Sequence, residues 1–118
     1  MKIITHILDA AAGKHPLGVA RSGHWAAVRK RHLDAHSECA VCGGGERLEV
    51  HHIRPFHLHP DLELEPTNLV TLCEAGHDGI NCHLFFGHLG NFKSFNVDVI
   101  SDAANFSLKV ARRPLAEA

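Results

Sequence analysis

The sequence predicts a small α+β fold, and three of its features lead to this prediction. The chain has 118 residues, 45% of them hydrophobic, which is enough for one compact domain and short for two. Two short apolar stretches have the composition of strands, and helical patterns flank them. Four cysteines accompany these stretches, so a metal or disulfides could add stability that a small core lacks. We expect one domain over residues 1–118, with its core at about 22–90 and a C-terminal packing segment and tail at 91–118.

The first predicted helix covers residues 23–33, shortly before the first cysteine pair. Ser22 has the side chain of an N-cap residue, and Trp25, Val28 and Leu33 fall near one helix face. A large aromatic side chain in that position is more often a core anchor than a surface for a nucleobase. We therefore expect Trp25 to anchor the core.

The first predicted strand covers residues 48–53. Side chains alternate between the two faces of a strand. Val50 and His52 are therefore expected on one face, and His51 and Ile53 on the other.

After that strand, we expect a loop, a second strand, a short helical segment and a C-terminal packing segment. Residues 54–66 carry several prolines and an acidic run and are expected to form a loop with a solvated surface. Residues 69–72 form a second strand, and residues 82–89 form one or two helical turns that a glycine closes. The apolar residues after position 90 are expected to pack around the core; they include Phe92, Phe95, Val97, Val99, Ile100 and Phe106.

Cys39 and Cys42 are separated by two residues and followed by three glycines. Two thiolates at this spacing can reach one tetrahedral zinc ion, and glycine lets the backbone turn back. The N-terminus lacks the pattern of a secretory signal, and no stretch approaches the ~18 apolar residues of a membrane span. We expect a cytoplasmic protein with no membrane segment, where paired thiolates favour a metal over disulfides.

The formal net charge of −1 gives no overall sign of a nucleic-acid partner. Its distribution is uneven, because residues 13–33 are basic and residues 57–78 are acidic. The basic end could contact phosphates, and a solvated helix face is the alternative. The chain also has 12 histidines, so several must be considered as metal ligands or as bases.

The order of these features resembles the cysteine-bearing branch of the HNH endonuclease family. A cysteine pair precedes a strand with two histidines, an asparagine precedes the second strand, and two further cysteines lead to a histidine and a helix. The resemblance covers residues 22–89 approximately. The residues that carry it are Cys39, Cys42, His51, His52, Ile53, Asn68, Leu69, Leu72, Cys73, Cys82 and His83.

The resemblance implies a ββα-metal fold in which a structural zinc ion ties the cysteine turn to the start of the helix. Four thiolates close such a site, so this zinc has no catalytic position. The implied ligands are Cys39, Cys42, Cys73 and Cys82. One departure is that residues 74–81 separate the second pair, where the family usually has two residues, and His77 in this insertion is an alternative to Cys82.

The resemblance also implies a second metal site and a metal-dependent endonuclease that hydrolyses nucleic-acid phosphodiester bonds. His51 and His83 would bind a divalent metal, Mn²⁺, Mg²⁺, Ni²⁺ or Zn²⁺, and imidazole suits the transition metals better than magnesium. His52 corresponds to the general base, since imidazole can take a proton from water near neutral pH. Asn68 corresponds to the residue that holds the loop and the base in place.

Other residues are candidates for phosphate contacts with the expected nucleic-acid partner, for which DNA is favoured over RNA. They are Arg54 and His57 after the first strand, and Arg29, Lys30 and Arg31 in the helix. His88 lies five residues after His83, one more than the spacing that shares an α-helix face, so it is either a third ligand or a phosphate contact.

Two other functions remain open at this point. A zinc module that binds nucleic acid or protein without cutting would use the same cysteines. A zinc hydrolase acting on a small substrate is disfavoured, because no His-x-Glu motif accompanies the cysteines. The oligomeric state is open too, and a homodimer would let so small a domain cut both strands of a duplex.

Overall fold

The computed structural model describes residues 20–75 and 79–114 and confirms the α+β fold. The predicted domain over residues 1–118 extends beyond the described residues at both ends. No helix in the described part of the chain is long and apolar enough to cross a membrane. The main elements are helix α1 (Trp25–Ala35), strand β1 (Leu48–His52), strand β2 (Leu69–Cys73), a π-helical turn (His83–Gly87) and helix α2 (Val99–Ala111).

The two strands form an antiparallel sheet whose register places His52 opposite Leu69 and His51 opposite Val70. The predicted alternation holds in β1, where His51 is buried and His52 is half-buried. Strand β2 is buried along its whole length, because α1 contacts the sheet and the π-helical turn packs against it from the other side. Leu72 and Cys73 have no exposed surface.

Helix α1 begins at Trp25, two residues later than predicted. The Ser22 hydroxyl accepts a hydrogen bond from the amide of His24 at 3.0 Å, so it stabilises the turn before the helix and does not cap the helix itself. No residue of α1 is fully buried. Trp25 is half-buried, lies outside the cluster of buried core residues, and instead contacts the ring of His52.

The segment after residue 90 differs from the prediction in two ways. It contains a 13-residue helix, α2, and most of its apolar residues do not pack around the core. Val99 and Ala103 are buried one helical turn apart, whereas the exposed residues include Phe92, Val97, Ile100 and Phe106. Ile100 and Phe106 are exposed because only one face of α2 meets the rest of the domain, whereas Phe92 and Val97 precede this helix.

Candidate metal centre and active site

The cysteine turn after α1 is held in shape by its own backbone. The amide of Gly43 donates to the carbonyl of Cys39 at 2.9 Å, and Gly43 has a φ of 79°, which a residue with a side chain rarely adopts. The amides of Val41 and Gly44 point at the sulfurs of Cys39 and Cys42, each at 3.4 Å. Amide donors of this kind favour the charged form of a thiolate.

The four cysteine sulfurs come together as predicted. They all lie within 4.8 Å of one another, and Cys42 Sγ is 3.7 Å from Cys73 Sγ. A tetrahedron of thiolates at ~2.3 Å from zinc has edges of about 3.8 Å, so the spacing fits a zinc site. His77, the alternative ligand, lies outside the described residues, whereas Cys82 is one of the four.

Burial and crowding affect the ionisation of two of these thiols. Burial raises the pKa of Cys39. Burial and then the neighbouring cysteines raise the pKa of Cys82. These two thiols therefore resist ionisation on their own, and a dication would reverse this by binding the thiolate forms. The cluster could bind a metal such as zinc.

A second cluster consists of His51 from β1 with His83 and His88 from the π-helical turn and its end. One ring nitrogen from each lies within 4.8 Å of the others, and His83 Nε2 is 3.1 Å from His51 Nδ1. A π-helix is wound more widely than an α-helix, and its hydrogen bonds join residues five apart where those of an α-helix join residues four apart. The turn therefore brings His88, five residues after His83, to the same side, which an α-helical spacing did not predict.

The outer nitrogens of His83 and His88 are fixed by hydrogen bonds. His83 Nδ1 donates to the Glu74 carboxylate at 3.0 Å, and His88 Nδ1 donates to the carbonyl of Ser94 at 2.7 Å. Carboxylates and carbonyls behind histidines in this way are typical of metal sites, because they set the tautomer and orient the ring. In both residues Nε2 is left as the acceptor nitrogen.

His51 is the most buried member of the cluster, with 4% of its surface exposed. Burial, followed by the charges that His83, His88 and His52 would carry, lowers its pKa to about 3. Burial also lowers the pKa of His88. Neutral imidazole is the form that binds a metal, and the nitrogen of His51 that meets the cluster is Nδ1, 3.1 Å from His83 Nε2. Three imidazole nitrogens form a donor set that fits a divalent transition metal.

His52 lies on the other face of β1. Its ring centroid is 4.5 Å from that of Trp25, and its Nε2 donates to the carbonyl of Glu63 at 2.9 Å. Since Nε2 carries the proton, Nδ1 is the basic nitrogen. Burial is the main cause that lowers the pKa of His52, so the ring is neutral and able to accept a proton.

The sequence predicts a solvated surface for the acidic loop over residues 54–66, and this prediction is wrong for Glu63. This residue has 4% of its surface exposed, and its carboxylate accepts from Arg21 Nε at 2.6 Å and from the amide of Ser22 at 3.1 Å. The Arg21 guanidinium lies over the rings of Trp25 and Phe56. The network thus joins the start of α1 to the loop that holds His52, and nothing in the sequence spacing indicated it.

Asn68 is buried at the end of the same loop. Its Oδ1 accepts from the amide of Arg54 at 2.8 Å, and its Nδ2 donates to the carbonyls of Arg54 and Leu62 at 3.1 and 3.2 Å. These bonds tie the residue after β1 to the residues before β2. The side chain is therefore placed where it fixes the loop around His52.

The residues predicted to contact nucleic acid lie at the surface. Arg29 forms an ion pair with Glu49 at 3.5 Å, and Lys30 forms one with Asp34 at 2.8 Å. The remaining three, Arg31, Arg54 and His57, are exposed.

A β-hairpin with a helical turn behind it, a cysteine cluster at one end and a histidine cluster between strand and turn define a ββα-metal domain. Residues 39–84 match the family model described as HNH endonuclease. This segment is therefore similar to the HNH endonuclease family, which confirms the predicted resemblance over these residues and suggests a nuclease-type or nucleic-acid-related function. A search of curated proteins and a search of solved structures gave no match.

Proposed function

We propose that this protein is a metal-dependent endonuclease that hydrolyses phosphodiester bonds, with DNA as the substrate. The observation that supports this best is the arrangement of His51 and His52. One belongs to a cluster of three imidazoles, and the other has a fixed tautomer with a basic Nδ1. Their Cα atoms are about 3.8 Å apart along the strand. In the described sheet β1 pairs only with β2, so no further strand covers its other edge.

His51, His83 and His88 would hold the catalytic metal, and the Glu74 carboxylate would orient His83 behind it. A divalent cation there supplies a Lewis acid that stabilises charge on the phosphate and on the leaving 3′ oxygen. His88 is the third ligand in this proposal, in addition to His51 and His83, the two ligands that the resemblance implies.

His52 acts as the general base. Its Nδ1 takes a proton from the attacking water, while Nε2 keeps its hydrogen bond to the Glu63 carbonyl and prevents the ring from rotating. Asn68 contributes by geometry, because it fixes the loop that carries this carbonyl. A positioned base of this kind accelerates a reaction roughly 10²- to 10⁴-fold.

The cysteine cluster would hold a structural zinc ion that joins the turn after α1 to the end of β2. Arg54 and His57 would contact the strand being cut, and Arg29, Lys30 and Arg31 a more distant part of the backbone. A cytoplasmic location and a homodimer remain predictions.

The test is a cleavage assay on supercoiled plasmid and on single-stranded DNA. Metal-stripped protein with zinc restored to its cysteine site is supplied with Mn²⁺, Mg²⁺, Ni²⁺ or Zn²⁺ in turn. We expect metal-dependent nicking by the wild type, a loss of roughly 10²- to 10⁴-fold in His52→Ala, and unchanged activity in the control His24→Ala, an exposed histidine before α1. A wild type that retains zinc and cuts no substrate would favour the non-catalytic zinc module.

A further inference from the structure

An exposed aromatic ring lies directly beside the histidine cluster. Phe92 has 57% of its surface exposed, and its ring centroid is 4.9 Å from that of His88 and 5.8 Å from that of His83. The ring thus touches two of the three proposed metal ligands and still presents much of its surface to solvent. A side chain that only shielded the site from water would be covered more completely.

The turn that carries Phe92 is closed by several hydrogen bonds. The amide of Asn91 donates to the carbonyl of His88 at 3.1 Å, and the amide of Ser94 donates to the carbonyl of Asn91 at 2.8 Å. The Asn91 side chain accepts from the amide of Lys93 at 2.8 Å. Because His88 Nδ1 also donates to the Ser94 carbonyl, one turn both orients a metal ligand and holds the ring in place.

Exposure alone would not distinguish this residue, since Phe85 in the π-helical turn is 56% exposed. The difference lies in the surroundings. Among the described residues Phe85 makes no ring contact with the histidine cluster, whereas Phe92 is fixed against it. An aromatic face next to a site for a phosphodiester can stack on a nucleobase of the same strand, and Lys93 beside it adds a positive charge.

We infer that Phe92 is a substrate-binding residue that stacks on an unpaired nucleobase next to the scissile phosphate. The inference rests on the proposed nuclease function and narrows its substrate to nucleic acid with single-stranded character. Bases within an intact duplex stack on one another, so their faces are not open to a side chain. A base in a single strand, a bubble or a gap has a free face that any aromatic ring can contact.

The experiment compares binding to two DNAs of the same sequence, one fully paired and one with a short unpaired bubble. All proteins carry His52→Ala and a bound metal, so binding is measured by fluorescence anisotropy without cutting. The variants are Phe92→Ala, Phe92→Leu and Phe92→Trp, with Phe85→Ala as the matched control. Cleavage by the same Phe92 substitutions in the wild-type background is measured in parallel.

We expect Phe92→Ala and Phe92→Leu to weaken binding to the bubble roughly five- to a hundredfold, with little effect on the duplex. Phe92→Trp should keep the affinity, and Phe85→Ala should match its parent. Equal losses on both DNAs, or a Phe92→Leu protein that binds the bubble normally, would overturn the inference, the latter because the ring would then be an apolar cover. A wild type that cuts DNA while the Phe92 variants match it would overturn this inference alone. A wild type that neither binds nor cuts nucleic acid would overturn the proposed function with it.

Discussion

His51 and His52 are consecutive residues of β1, yet their imidazoles lie on opposite faces of the sheet and contact different parts of the protein. The ring of His51 meets His83 and His88, and the ring of His52 meets Trp25. Because side chains alternate along a strand, the proposed metal ligand and the proposed general base lie on opposite faces although they are neighbours in the sequence. A shift of β1 by one residue against β2 would exchange the two rings, so the sheet register is a requirement of the site.

The buried carboxylate of Glu63 should contribute strongly to stability. Glu63→Gln leaves Arg21 without its charged partner, and we expect a loss of about 3 kcal/mol in the free energy of unfolding. This value is at the lower end of the range for breaking a buried ion pair, because 33% of the Arg21 side chain is exposed. Urea unfolding measures it, with Asp34→Asn in the exposed pair with Lys30 as the control. A Glu63→Gln protein as stable as that control would contradict the prediction.

Gly87 should be required for the position of His51. A Cβ atom there would lie 3.1 Å from His51 Cε1 and from Leu72 Cδ1, closer than such contacts normally are. Since Leu72 is fully buried, we expect the imidazole to be displaced in Gly87→Ala. Ni²⁺ binding, measured by calorimetry on protein that already holds zinc, should weaken. Gly23→Ala, where a Cβ meets nothing within 4 Å, should bind as the wild type does, and equal affinity in both variants would argue against a site at His51.

The sequence was sufficient for those parts of the fold that depend on short-range patterns. The alternation of side chains along β1 correctly places His51 and His52 on opposite faces of the sheet. The spacing of Cys39 and Cys42 indicates that both belong to one cluster of metal ligands. Features that depend on a local departure from regular structure were not predictable in the same way. An α-helical period leaves His88 open between a third ligand and a phosphate contact, whereas the structure has a π-helical turn there that brings it to His51 and His83.

Two further differences have other causes, one a contact between distant residues and one a local pattern that was obscured. Glu63 looks like one more charge in an acidic loop, and only the folded chain brings Arg21 to it, 42 positions away. Helix α2 has buried positions four residues apart, Val99 and Ala103, which is a helical spacing that could have been recognised. It was obscured by the exposed apolar residues between them and after them.

Glu74 should strengthen metal binding by the histidine cluster without being a metal ligand itself. Its carboxylate accepts from His83 Nδ1, and loss of such a partner typically weakens metal binding roughly 10- to 100-fold. We expect Glu74→Gln to show a loss of that size in Ni²⁺ affinity. The control is Glu49→Gln, a half-buried carboxylate that pairs with Arg29. If both variants bind Ni²⁺ equally well, the carboxylate does not orient a ligand.

The fourth ligand of the cysteine cluster can be decided by zinc content. We expect Cys82→Ser to lose zinc to a chelator far faster than the wild type and to unfold as it does so, because the energy of metal binding is part of the folding energy. His77→Ala should retain its zinc. Mass spectrometry of the native proteins after chelation measures both, and the reverse result would assign His77 as the ligand.

His32 should make the protein less stable in acid. Burial, followed by the nearby charge of His36, lowers its pKa below the ordinary value of 6.5, and its Nε2 has no hydrogen-bond partner among the described residues. As the pH falls, His32 is therefore protonated in the unfolded chain before it is protonated in the folded one. The stability that neutral His32 contributes is present above the ordinary pKa and is lost as the pH falls below it. Between about pH 7.5 and about pH 5.5 the wild type should lose more unfolding free energy than His32→Leu. Urea titrations at both pH values test this, with His24→Leu as the control, and equal losses in wild type and His32→Leu would show that His32 does not contribute.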